Sequence, residues 1–277
     1  MPDFIFTLWD VEHGLAIWLQ TPAGQHHWID AGRAGDFSPS KWVKEKYAVT
    51  KLDFLILSHP DGDHLNDLTQ LVESLGNPRI LLRNKSLPEE EKFKSATLDY
   101  QKTFRILDTT YISPVADAES PMNSTYNGGV EVKAGYNNYS ESCTGNNTSV
   151  VAFYLYAGWL FVCPGDIEDS GWQELWTAKK EVFEPLIKAA KWRILVAPHH
   201  GRESGYSQHM MDCINPHLAL ISDVAGQSPT DKSFREKPLG LKLNGEIKKF
   251  LSTKQKGRIH FSITPEGAYT FNQYEGD

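Results

Sequence analysis

Short apolar runs rich in β-branched and aromatic residues recur at 3–9, 15–20, 26–30 and 53–58, each bounded by turn residues, and they predict strands of one sheet that opens as a meander. Helical spacing then alternates with strands. Ser38-Pro39 supplies a cap and first position for a helix over 39–47, and Leu65, Leu68, Leu71, Val72 and Leu75 fall on one helical face before Gly76. Ser86 and Glu89 have capping-box spacing and predict a helix near 88–103. Residues 113–147, dense in Ser, Asn, Gly, Pro and Asp, predict an irregular loop interrupted by a strand around Val130 to Ala134. A second set of strands is expected at 149–156, 159–163, 193–197, 217–222 and 258–263. Helices are expected near 170–191, 206–213 and 240–251, with Pro185 breaking or kinking the first of them. Two β-rich halves, each with helices on its outer side, predict an α/β fold arranged as a four-layer αββα sandwich.

Composition narrows the class. With 40% hydrophobic and 23% charged residues over 277 positions, the chain is expected to fold as one globular domain spanning 1–277. The N-terminus lacks a basic start followed by an apolar run, and no segment has the apolar length of a membrane span, so a cytoplasmic location without membrane contact is expected. Cys143, Cys163 and Cys213 form no C-x-x-C pair, which argues against a disulfide framework or a thiolate metal site. A formal charge of −7 means that any nucleic-acid contact must come from a local basic patch.

The candidate chemistry lies at strand ends. The run F-L-I-L-S leads into His59-Pro60-Asp61-Gly62-Asp63-His64, which packs four ligand-type side chains into one strand-to-helix turn. A hydrolytic metal centre needs such a mixture of imidazole nitrogens and carboxylate oxygens around one or two cations. Gly165-Asp166 follows the apolar strand W-L-F-V-C, placing a carboxylate where it could bridge two cations, and Pro198-His199-His200-Gly201 follows I-L-V-A. Either of His199 and His200 could serve as ligand, the other orienting substrate. His13 lies near the opening motif, and Arg202 offers a fork suited to phosphate oxygens. His26, His27, His209, His217 and His260 fall outside any cluster and read as structural or surface histidines.

The segment S-H-P-D-G-D-H resembles the H-x-[HD]-x-D-H signature of the metallo-β-lactamase superfamily, in its H-x-D-x-D-H form. Other segments resemble the hydrolase domain of ComEC-type competence proteins. Asp10, Gly14 and Ala16 match its opening D-V-G-Q-G-x-A, and I-D-A-G at 29–32 its next motif. Asn146-Asn147-Thr148-Ser149 matches its N-x-x-S, Gly165-Asp166 its G-D, and P-H-H-G its H-H-G-S, in order over about residues 5–265. The chain departs from that pattern at Glu12 and His13 in the opening motif, at Arg202 in place of Ser, and at Lys237-Pro238 in place of His-Pro.

The resemblance implies an αββα metallo-β-lactamase sandwich and two divalent cations, Zn²⁺ or Mn²⁺. In that expectation His59 and Asp61 hold one cation, Asp63 and His64 the other, Asp166 bridges them, and His199 is a further ligand. Asp63 and His200 would act in catalysis, with Asn146, Asn147, Arg202 and His13 around the substrate. The implied reaction is hydrolysis of a phosphodiester, in DNA or a small nucleotide, by an activated water. The alternatives are hydrolysis of a C–N, lactone or thioester bond on the same scaffold, and a nucleotide-binding module with reduced catalysis.

Overall fold

The computed structural model describes residues 2–94, 98–113, 120–224 and 229–274; the parts of the predicted 88–103 helix and 113–147 loop at 95–97 and 114–119 lie outside them. In chain order the strands are β1 (Phe4–Leu8), β2 (Ala16–Gln20), β3 (His26–Ala31), β4 (Phe54–Ile56), β5 (Ile80–Leu82), β6 (Glu131–Gly135), β7 (Val151–Tyr156), β8 (Trp159–Cys163), β9 (Trp192–Val196), β10 (Leu218–Ile221), β11 (Leu241–Leu243), β12 (Glu246–Lys248), β13 (Phe250–Ser252), β14 (Ile259–Ile263) and β15 (Tyr269–Gln273). The helices are α1 (Pro39–Tyr47), α2 (Gly62–Leu65), α3 (Leu68–Leu75), α4 (Glu89–Lys92), α5 (Asp99–Thr110), α6 (Asp169–Ala189), α7 (Gln208–Ile214), α8 (Ser233–Glu236) and α9 (Thr253–Lys256). Among the described residues β15-β14-β1-β2-β3-β4-β5 form one sheet and β13-β10-β9-β8-β7-β6 a second.

Strand alternation explains the layering. Phe4, Phe6 and Leu8 of β1 and Ile17 and Leu19 of β2 point inward, where they meet Tyr154, Trp159 and Phe161 from the second sheet in one buried cluster. Phe6 and Phe161 stack at 4.3 Å across that interface, a ring pair that adds about 1 kcal/mol beyond the area it buries. The opposite faces carry separate cores. Trp18 and Trp28 pack outward with Val43, Leu68, Leu71 and Phe104 from α1, α3 and α5, while Phe153, Leu160 and Val162 pack against Trp172, Leu175 and Phe183 of α6. The four layers are therefore helix, sheet, sheet and helix, the expected αββα sandwich.

Three local expectations are corrected. The predicted 240–251 helix is instead the β11–β12 hairpin and β13. Leu241 and Leu243 are buried around an exposed Lys242, and Asn244-Gly245 turns with φ of 47° and 92°, so period 2 and an Asn-Gly turn outweigh the helical reading. The 88–103 helix is replaced by the short α4 and by α5, which runs on to Thr110. Ser86 caps neither, because its hydroxyl donates to Asn84 Oδ1 at 2.6 Å. Helix α6 also continues through Pro185 to Ala189, so the proline does not end it.

Parallel pairing sets where the site can lie. β3, β4 and β5 run parallel in one sheet, and β8, β9, β10 and β13 run parallel in the other. The loops leaving the carboxyl ends of β3, β4, β8 and β9 meet at one end of the sandwich, where Val150 N donates to Ser58 O at 2.9 Å. Gly14 lets the β1–β2 loop join them. A methyl group there would come within 2.4 Å of the Asp63 carbonyl oxygen.

Candidate metal centre

The turn after β4 delivers His59, Asp61, Asp63 and His64, the end of β8 delivers Asp166, and the end of β9 delivers His200. Two groups of ligand atoms result, each with its members within 4.8 Å of one another: His59, His64 and Asp166 form a buried group, and His13, Asp63 and His200 one nearer the mouth. Asp166 stands between them. Its Oδ1 lies 3.3 Å from His64 Nε2, and its Oδ2 lies 3.8 Å from His59 Nε2 and 3.6 Å from His200 Nε2. Asp63 Oδ2 is 3.2 Å from His200 Nε2 and 3.3 Å from His13 Nε2. Asp61 reaches His59 Nε2 at 3.8 Å with one oxygen and accepts from Lys94 Nζ at 2.6 Å with the other. His64 thus stands with His59 and Asp166 in the buried group, and its Nε2 also lies 3.8 Å from Oδ2 of Asp63, the partner expected from the sequence.

Asp30, at the end of β3, supports this arrangement from beneath. It is fully buried with φ of 55°, accepts from Ser58 N at 2.7 Å and Ser58 Oγ at 2.5 Å, and pairs with His64 Nδ1 at 2.8 Å. That contact makes Nδ1–H the donor and turns Nε2 toward Asp166. Burial alone would lower the affinity of His64 for a second proton, but the Asp166 and Asp30 carboxylates reverse this and raise its pKa. Burial would push Asp166 up, and His64, His200 and His59 hold it well below the usual carboxylate range instead. Asp63 shows the same contest, burial raising it and the His200 and His64 imidazoles winning. At His59 burial wins, aided by His64, and the pKa falls.

These residues fit a divalent cation. The buried Nε2 atoms of His64 and His200 make no hydrogen bond, and both face carboxylates, so a cation beside each would satisfy it. Mixed imidazole and carboxylate donors suit zinc or manganese.

The two adjacent histidines are separated by backbone conformation. His199, His200 and Gly201 all have positive φ, of 49°, 56° and 74°, a strained run that drives His200 inward to 4% exposure. His199 sits at the rim, with Nδ1 2.7 Å from Ser204 Oγ and Nε2 3.9 Å from Asp166 Oδ2. Arg202 places a guanidinium nitrogen 3.2 Å from the His13 ring nitrogens, so the β1–β2 and post-β9 loops meet across the mouth.

Asn146 and Asn147, expected near the substrate, stand before β7 and against the start of α6. Asn147 Oδ1 accepts from Glu168 N at 3.1 Å and Gly171 N at 3.2 Å, and its Nδ2 donates to Ser170 Oγ, which braces the first turn of α6. Asn146 Nδ2 reaches Glu168 Oε1 at 3.5 Å. Lys237 donates to Oε1 of Gln208, the first residue of α7, at 2.5 Å. Among the other histidines, His27 is fully buried near Tyr154, and His217 accepts from Arg193 N at 3.2 Å, both structural as expected. Sequence reasoning did not single out Lys94, and it quoted Asp30 and Ser58 only inside the I-D-A-G and S-H-P-D-G-D-H motifs, without a role for either. A charged residue inside the apolar run of β3 was the available signal for Asp30.

No family model matches the chain. It is 24% identical over 251 residues to ComE operon protein 3 of Bacillus subtilis (strain 168), an alignment covering 84% of this chain and 29% of that protein. The chain therefore spans less than a third of the length of that relative, a match in keeping with its ComEC-like motifs. Solved structures it is similar to include a diphosphatase from the PhnP family, at 12% identity and a TM-score of 0.45, with 89% of this chain and 83% of that one covered. The metallo-β-lactamase fold protein YhfI from Bacillus subtilis is similar at 13% identity and a TM-score of 0.44, with 82% and 89% covered. CmlA, a diiron β-hydroxylase from Streptomyces venezuelae, is similar at 12% and 0.45, with 80% and 45% covered.

Proposed function

From the metallo-β-lactamase sandwich and the ligand atoms gathered at its mouth, we propose that this chain is a metal-dependent hydrolase that cleaves phosphodiesters, in DNA or small nucleotides. One observation supports the reading most: imidazole and carboxylate atoms from four separate loops converge, with two buried imidazole nitrogens left for cations. In this reading His59, His64 and Asp166 would hold one Zn²⁺ or Mn²⁺, and Asp63 and His200, with Asp166 beside them, would hold a second. Asp61, shared with Lys94, completes the first. His200 is the ligand and His199 the rim residue, because only His200 is buried between Asp63 and Asp166.

Cations bound there supply Lewis acidity and a water activated for attack. The protein's part is to fix the donors and exclude bulk water. Asp30 orients His64, the positive-φ run aims His200, and Gly14 seals the β1–β2 loop against Asp63. Arg202 and His13 stand at the mouth, where a guanidinium can grip a non-bridging phosphate oxygen. That cation supports an anionic phosphodiester over a neutral lactone or amide.

The deciding experiment is Mn²⁺- and Zn²⁺-dependent cleavage of labelled single-stranded DNA and of bis-p-nitrophenyl phosphate, wild type against Asp63→Asn. Cleavage by wild type that falls at least ~10³-fold in the variant is expected, since several kcal/mol of charge stabilisation are at stake. Faster turnover of nitrocefin or a lactone than of either phosphodiester would overturn the reading. Arg202→Ala is expected to raise KM for bis-p-nitrophenyl phosphate about 10-fold, the loss of one charge-assisted contact, with bound metal unchanged. An unaltered KM would remove Arg202 from the substrate's path.

A further inference from the structure

A cavity of about 300 Å³ lies beside the metal-binding turn, between α3 and the start of α5. Tyr100 joins the two. A methyl group at Gly62 would come within 2.9 Å of the Tyr100 hydroxyl, so this side chain stands over the backbone that connects Asp61 to Asp63. Its own position is fixed, since the Tyr100 ring packs on the outer core and Thr69 and Thr103 share a 2.9 Å hydrogen bond that ties α3 to α5.

We propose that this cavity is a nucleobase subsite, receiving the base of the nucleotide whose phosphate is cleaved next door. The proposal rests on the phosphodiesterase reading above. Its lining has the two things a base requires. Tyr100 and the exposed Leu98 offer an aromatic and an aliphatic wall for a flat ring, and the Asn66 amide and Glu73 carboxylate offer a donor and acceptors for its edge. Charge disfavours the alternative of a second phosphate. Arg33 shares the lining with Glu73 and with Asp99, which Lys102 Nζ pairs at 2.9 Å, so the cavity has no net positive charge and suits the neutral part of a nucleotide. A base held there leaves its 5′-phosphate free to reach the turn at Asp61–Asp63, beneath the Tyr100 hydroxyl.

The test compares two substrates that share one leaving group: the p-nitrophenyl ester of thymidine 5′-monophosphate and methyl p-nitrophenyl phosphate. Metal-loaded wild type is expected to favour the nucleoside ester in kcat/KM by about 10-fold or more, the gain from stacking one base. Tyr100→Ala should remove that preference by raising KM for the nucleoside ester alone, while Tyr100→Phe, which keeps the ring, should retain it. Equal losses on both esters in Tyr100→Ala, or an undiminished preference, would overturn the subsite. Should wild type cleave neither ester, the phosphodiesterase reading fails and the subsite is decided by binding. Saturation transfer from the protein to the base protons of thymidine 5′-monophosphate, lost in Tyr100→Ala and kept in Tyr100→Phe, sustains it; transfer unchanged in Tyr100→Ala rejects it.

Discussion

Asp166→Asn is expected to abolish turnover, by at least ~10³-fold, and to strip the protein of tightly bound metal. The carboxylate faces both groups of ligand atoms, Oδ1 toward His64 and Oδ2 toward His59 and His200. The amide keeps the volume and one oxygen but loses the negative charge, and it presents donors to imidazole nitrogens that must accept a cation. With several kcal/mol of metal-centred charge stabilisation at stake and a factor of ten in rate for each ~1.4 kcal/mol, a loss of this size follows. Inductively coupled plasma analysis of the purified variant, beside its rate on bis-p-nitrophenyl phosphate, tests it. A variant with a full metal complement and turnover within tenfold of wild type would show that Asp166 does not serve the centre.

The layered fold was legible because short apolar runs bounded by turn residues mark its strands in the sequence. Phe4, Phe6 and Leu8 against Ile5, or Trp159 and Phe161 against Leu160, are apolar on both faces, as expected of strands covered on either side by a sheet and a helix. What failed was short or locally ambiguous. β5 and β15 escaped notice, β5 being three residues long and β15 having one face open to solvent, and the 240–251 segment mixed Leu, Lys and Gly in a pattern that only its Asn-Gly turn disambiguates. The turn His59 to His64 was legible because its ligand atoms are concentrated in six residues. Its partition was not, since which imidazole faces which carboxylate depends on loops 100 residues or more apart in sequence. His13 meets Asp63 and His200 where Gly14 permits backbone contact with Asp63, and the contacts by which the Asn147 amide closes the start of α6 depend on residues more than twenty positions away.

Asp30 shows how much of the centre lies outside its ligand set, and Asp30→Asn tests that directly. Its carboxylate is fully buried and accepts from Ser58 N, Ser58 Oγ and the His64 ring. Asparagine suits the substitution because it tolerates the φ of 55° at this position, where alanine would add backbone strain to the lost contacts. The amide oxygen can still accept from Ser58, but an amide accepts more weakly than a carboxylate and no longer makes His64 the stronger metal ligand. The expected result is a folded protein whose metal affinity falls about 10- to 100-fold, with turnover recovering as Zn²⁺ or Mn²⁺ is raised. That recovery separates Asp30 from Asp166, whose replacement removes a ligand rather than the support of one. Metal titration followed by calorimetry, with circular dichroism to establish the fold, measures both. Wild-type affinity in the folded variant would mean that His64 holds its orientation without Asp30, through Ser58 and the packing around the turn.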